Sequence, residues 1–372
     1  LKKVNGHEII TLFEKWSPKR FAMEGDPVGL HIGQLNRPVE KVLVTLDVNE
    51  AVVDEAIEKG AALIIAHHPP IFRPLKAVLT DTTQGRMIEK CIKNDISVYA
   101  AHTNLDVAPG GVNDMLASKL GLLQTEVLSP TLSDPLYKLV VFSPVTHAED
   151  VRQALAKAGA GAIGDYEGCS FSSTGTGRFT PSAGADPFIG GVGRGEEVEE
   201  ERIEVVLPGP LRSKVLKAMH QAHPYEEVAY DFFMLDQRTE ALGLGRIGTL
   251  EKEMTLKQFA EHVKQIFGVP AARFVGDAHS IIRKVAVLGG DGNKYIGAAK
   301  RSGADVLVTG DLYYHVAHDA EAMGLSVVDP GHNIEKVMIE GVADYMQGAC
   351  AEAKYDVEFI RSEVITEPFQ FI

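Results

Sequence analysis

Apolar and polar residues alternate along the first third of the chain in blocks of two kinds. "KVLVTLDV" (Lys41–Val48) is a short β-branched run and predicts a strand, as does "AALIIAHH" from Ala61. Between them "NEAVVDEAIEKG" carries helical spacing and closes on Gly60. "TQGRMIEKCIKND" predicts a second helix, "ISVYAAHTNLD" a third strand and "GGVNDMLASKLGL" a further helix. Continuous apolar strands separated by helices are what a mostly parallel sheet covered on both faces requires.

Around Leu128–Pro135, "LSPTLSDP", the pattern breaks and a domain boundary is expected. Beyond it come strand "LYKLVVFSP", helix "HAEDVRQALAKAG", a strand near "CSFSSTGTGRF" and strand "EEERIEVVLP". Helix "LRSKVLKAMHQAHP" and strand "EVAYDFFMLD" complete a βαββαβ order, the ferredoxin-like pattern. The acidic stretch "GGVGRGEEVEEE" predicts a flexible loop. From "GLGRIGTL" the α/β rhythm resumes through strands "KVAVLGG", "ADVLVTGD" and "LSVVDPG" to a long last helix, "IEKVMIEGVADYMQGACAE". The predicted fold class is α/β: a two-halved domain with mixed or parallel sheets (residues 1–131 and 239–372), interrupted by a ferredoxin-like α+β insert (residues 132–238).

Composition narrows the function. The chain of 372 residues is 45% hydrophobic and 24% charged, enough for two or three domains with real cores. A net charge of −14 argues against nucleic acid and against a basic membrane-docking surface. A small nucleotide can still bind where a metal or helix N-terminus supplies positive potential. Cys91, Cys169 and Cys350 form no CxxC pair, which suits a reducing cytosol and excludes a cysteine-built zinc finger. No stretch approaches the ~18 apolar residues of a spanning helix. The opening "LKKVNGHEII" lacks a signal-peptide core, so a cytoplasmic location is expected.

Polar chemistry gathers where the strands end. "AALIIAHHPPIF" closes an apolar run with His67 and His68, then two prolines. Neighbouring strand residues point to opposite faces, but Pro69 and Pro70 end the ladder and let both rings aim at one region. Taken alone the pair reads more often as a polar turn than as a metal site. His102, Asn104 and Asp106 follow the third strand, where Asp106 could instead make an Asx-turn or cap the next helix. His332 and Glu335 stand three apart in "HNIE" at the opening of the last helix and share a face. A glutamate there also suits the helix dipole. In open α/β sheets ligands bind beyond the carboxyl ends of strands, where remote residues meet.

As a set, these imidazoles and carboxylates suit zinc, manganese or iron better than magnesium. Glu335 or Asp106 can bridge two ions roughly 3.5–4 Å apart, and five side chains across two ions leave positions open for water. In "GDLYYHVAHDA", Asp311 and His315 read as outer partners or pocket wall, and His318 as a surface residue. The Gly-rich turns "VLGGDGNKYIG" and "APGGVND" match neither common phosphate motif and predict tight turns. No nucleophile elbow is present.

"AHHPPIF", "HTNLDVAPGGVND", "GLGRIG", "TGDLYYH" and "DPGHNIE", in this order, resemble the GTP cyclohydrolase 1 type 2 homologue family, also called Nif-three-like dinuclear-metal proteins. "WSPKRFAMEGDPVGLHIG" is similar to the family's start, with Asp26 and Gly29 corresponding. The resemblance runs over nearly the whole chain. It implies two divalent metal ions per subunit, zinc foremost with iron or manganese as alternatives, held by His67, His68, Asp106, His332 and Glu335. It further implies a toroidal homohexamer, a dimer of trimers or trimer of dimers. The insert resembles PII and CutA trimers, "HPYEEVAYD" (His223–Asp231) being the telling stretch. The implied activity is hydrolase-like, an activated water attacking a nucleotide or related small molecule. If the family name describes the activity, that is ring opening of GTP, with His102 or His315 as proton relay or outer partner. A non-catalytic metal-binding scaffold, regulatory or interacting, whose PII-like domain senses a small molecule fits the same resemblance.

Overall fold

The computed structural model describes residues 2–372, which form two compact units: the chain up to Leu132 together with Leu242–Ile372, and Ser133–Ala241. In the first unit, strands Lys41–Thr45, Leu63–Ala66 and Ser97–Ala100 run parallel and side by side. Glu358–Arg361 extends this sheet in parallel on one edge, and Gly29–Ile32 closes the other antiparallel. Leu63–Ala66 and Ser97–Ala100 are buried at every position, which is why their sequences show no alternation. Thr45, Ala66 and Ala100 are in register, so the three strands end level and the residues just beyond them become neighbours.

A second sheet of the same unit has the order Arg273–Val275, Ser326–Asp329, Val306–Gly310, Ile281–Asp291, Leu242–Thr255, Leu123–Leu132. Its three central members after the first are parallel, and the outer strands pair antiparallel. Val44 and Ile65 of one sheet share a core with Val287, Val308 and Val328 of the other. Each such buried aliphatic contributes about 1.5–3 kcal/mol.

The break expected around "LSPTLSDP" is a strand as far as Leu132. It is the sheet's edge, where Pro130 need not donate a ladder hydrogen bond. Leu132 and Leu242 are paired across the two strands, so the second unit leaves and rejoins the first at adjacent residues.

The second unit is one antiparallel sheet in the order Tyr230–Arg238, Pro135–Pro144, Glu196–Pro208, Phe171–Phe179, with helices Ala148–Lys157 and Arg212–Ala222. This is the ferredoxin-like arrangement. Leu139, Val141, Ile203, Val205, Val215 and Met219 form the core under the helices. The glutamates of "GGVGRGEEVEEE" lie in a thirteen-residue strand and not in a loop. That strand is paired on both sides, and cations answer its charges: Arg178 at Glu197, Arg152 at Glu201 and Lys138 at Glu204. Among the described residues no helix is long and apolar enough to cross a membrane.

Candidate metal centre

The level strand ends set the site. Backbone pairing continues past Leu63–Ala66 through both histidines, His67 N–H donating to Thr45 O (3.2 Å) and His68 N–H to Leu46 O (2.9 Å), and Pro69 then stops it. His102 follows Ser97–Ala100 and caps a one-turn helix, Thr103–Val107, that carries Asp106. The strand predicted through "ISVYAAHTNLD" stops at Ala100, and a short helix carries Asp106 instead. His332 and Glu335 lie on a 3-10 turn, His332–Lys336, ahead of the last helix Val337–Glu352. Residues i and i+3 eclipse in a 3-10 turn, so the two side chains stack.

Among the described residues His67, His68, His102, Asp106, His332 and Glu335 form one cluster, resolvable into three overlapping triads of potential metal ligands. One is His67, Asp106 and Glu335; another His68, His332 and Glu335; the third His67, His68 and His102. Glu335 is shared. Its Oε1 lies 3.8 Å from His67 Nε2, while its Oε2 lies 3.0 Å from both His68 Nε2 and His332 Nε2.

The other nitrogen of every ring is already engaged. Nδ1–H donates to Ala101 O from His67 (2.8 Å), to Asp47 Oδ1 from His68 (2.6 Å), to Asp26 Oδ1 from His102 (2.8 Å) and to Asp311 Oδ2 from His332 (2.7 Å). A carbonyl or carboxylate at Nδ1 fixes the tautomer and the ring plane, leaving Nε2 for the cluster. Asp47 and Asp26 are held in turn by Thr366 and Thr103. Asn113 links the two halves, donating to Asp106 O (3.0 Å) and accepting from Gly289 N–H (3.1 Å).

Charge follows geometry. Burial opposes ionisation of Glu335, yet the imidazoles of His332, His67 and His68 hold it well below the usual carboxylate range. Burial pushes Asp106 up to about 6 against the pull of His67. Burial works against a charged His68, but Asp47 and Glu335 raise it to about 10; Glu335 and Asp311 raise His332 to about 9 against its burial. The cluster therefore attracts positive charge. His67 Nε2 and Asp106 Oδ1 are buried without hydrogen-bond partners and stand 3.6 Å apart. Two orphaned acceptors facing one gap fit a cation between them, since leaving each unpaired costs about 1–3 kcal/mol. The nitrogen-rich donor set suits a borderline metal such as zinc.

The two glycines of "VLGGDG" serve this cluster. A Cβ on Gly289 would come within 2.8 Å of Glu335 Oε1, and one on Gly290 (φ +63°) within 2.9 Å. Their bareness makes room for the glutamate. His315 stands outside the cluster: it is exposed on helix Tyr314–Ala322 with its ring against Tyr314. Asp47 escaped the sequence reading, although it stands just past a strand end as His67 does.

Fold and cluster together define a class: α/β proteins whose strand ends converge on a buried histidine–carboxylate site able to hold metal. The chain belongs to the Duf34/NIF3 (NGG1p interacting factor 3) family, whose model matches residues 4–368. A Bacillus subtilis relative named GTP cyclohydrolase 1 type 2 homolog is 59% identical over the full length of both chains. A Listeria innocua protein of the same name is 49% identical, again over both full lengths. A crystal structure described as a Bacillus cereus protein related to NIF3 superposes with a TM-score of 0.96 at 60% identity, covering both chains completely.

Proposed function

We propose that the cluster holds two divalent cations, zinc foremost, and that the protein is a metal-dependent hydrolase acting on a nucleotide or related small molecule. The observation that carries this reading is the division of Glu335 between two sets of imidazoles. His67, Asp106 and Glu335 would hold one ion, and His68, His332 and Glu335 the other. Bound cations of this kind supply Lewis acidity and acidify water enough for hydrolysis near neutral pH. The chain's own groups do the rest. Asp47, Asp311 and the Ala101 carbonyl orient three ligand rings, and Asp26 holds the proton on His102 Nδ1 so that His102 Nε2 can pass a proton to or from substrate. GTP is the first substrate to test, because the Bacillus subtilis relative is named GTP cyclohydrolase 1 type 2 homolog.

The same reading takes the protein to be a cytoplasmic homohexamer. Self-association is supported by the edge strand Tyr230–Arg238, which exposes Phe233 and Met234. An uncovered apolar edge is a liability that self-assembly removes.

The test is metal analysis of protein purified without chelators, followed by a nucleotide-hydrolysis screen. Two ions per chain are expected, with turnover that His68→Ala abolishes while the circular-dichroism spectrum is kept. No nucleotide hydrolysis above background, whether metal-loaded or not and in wild type as in His68→Ala, would leave a non-catalytic scaffold as the description of this protein.

A further inference from the structure

The second unit carries a cavity of its own, of about 680 Å³, on the sheet face opposite its helices. Along Glu196–Pro208 the odd positions Ile203, Val205 and Leu207 turn to the helices, so Glu200 and Arg202 point the other way. In a bare ferredoxin-like sheet that face would be open. Here the segment 180–189 lies over it, tied down where Asp186 N–H donates to Glu226 Oε1 (2.9 Å). Phe188 from this segment and Phe179 from the strand flank Tyr225, with ring centroids at 6.4 and 5.9 Å.

Within these walls Glu200 is more than nine-tenths buried. Its Oε1 accepts from the Tyr225 hydroxyl (3.0 Å), and among the described residues no cation pairs with it. The two arginines of the lining reach carboxylates outside it and not Glu200, Arg178 pairing with Glu197 (2.9 Å) and Arg202 with Glu204 (3.0 Å), which it shares with Lys138. Glu226 and Glu227 add to the acidic side. The strand opposite is stripped to accommodate the carboxylate: a Cβ on Gly177 would meet Glu200 Oε2 at 2.2 Å, and Gly175, the direct cross-strand partner of Glu200, faces open space.

We propose that this cavity is a binding site for a flat ring bearing adjacent N–H donors, stacked among Phe179, Phe188 and Tyr225 with its donors on Glu200. Aromatic walls favour a planar or cationic ligand. A buried carboxylate without a cation of its own accepts paired N–H groups and disfavours a phosphate or carboxylate of the ligand placed against it. An aromatic amidine and a guanine base share this chemistry.

Benzamidine and guanosine are titrated separately into the full-length protein, with benzoate and inosine as the matched rings that lack the cation or the exocyclic amine. Binding of benzamidine, guanosine or both tighter than about 1 mM is expected, with benzoate and inosine at least tenfold weaker. Glu200→Gln keeps the shape and an acceptor for Tyr225, and is expected to weaken binding at least tenfold. Gly175→Val fills the cavity from a position whose Cβ meets nothing, and is expected to abolish binding with the melting temperature retained. Failure of both probes to bind, benzoate binding as well as benzamidine, or undiminished binding to folded Gly175→Val would each overturn the proposal.

Discussion

Every imidazole of the cluster has its Nδ1 committed before any cation arrives, and this is where the site is most open to test. Asp47→Ala removes the acceptor that orients His68 without touching a proposed ligand. Loss of such an outer partner is expected to weaken cation binding about 10–100-fold, measured by competition with a chelator, with the fold intact. The protons on His68 and His332 give a second test. Their values of about 10 and about 9 mean both rings are protonated at pH 7 in the cation-free protein. Cation binding must expel those protons, so apparent affinity should rise as pH goes from 7 to 9. Titration calorimetry in phosphate and in Tris should give enthalpies that differ with the buffers' ionisation heats; identical enthalpies would contradict it. The five proposed ligands were read in the sequence from their places after apolar strands and at a helix opening, together with the family resemblance. The acceptors behind them were not, since an aspartate such as Asp47 looks like any turn residue until the ring it touches is known.

At the level of elements, two substitutions with the same backbone cost separate local strain from damage to the site. Gly60 closes the helix Glu50–Lys59 at φ +72° with nothing near its Cβ position, whereas Gly290 has φ +63° and Glu335 beside it. Alanine at either should cost roughly 1–2 kcal/mol in the left-handed conformation. Only Gly290→Ala is expected to lower metal stoichiometry as well, read by elemental analysis beside the melting temperature. The parallel core strands were legible as unbroken apolar runs. Leu123–Leu132 was not, because Pro130 and the surrounding serines mark a loop unless the strand is known to be an edge. The body of the glutamate-rich strand was legible as "EEERIEVVLP", but its start at Glu196–Val198 was not: charge signals disorder until cross-strand cations and a partner strand are in view.

For the whole molecule, the adjacency of Leu132 and Leu242 makes the second unit removable. A chain in which residues 133–241 give way to Asn-Gly, a two-residue hairpin turn, is expected to fold and bind the same number of cations as the full chain. Unfolding of that variant, or loss of its metal, would show that the second unit supports the site. Glu335 and His68 stand 267 positions apart and still touch. During synthesis, at roughly 5–20 residues per second, the paired histidines leave the ribosome tens of seconds before the glutamate that joins them. On the proposed function, cation capture would be a late event in the life of each molecule, since a nascent chain stalled before His332 would offer only His67, His68 and Asp106 of the five proposed ligands.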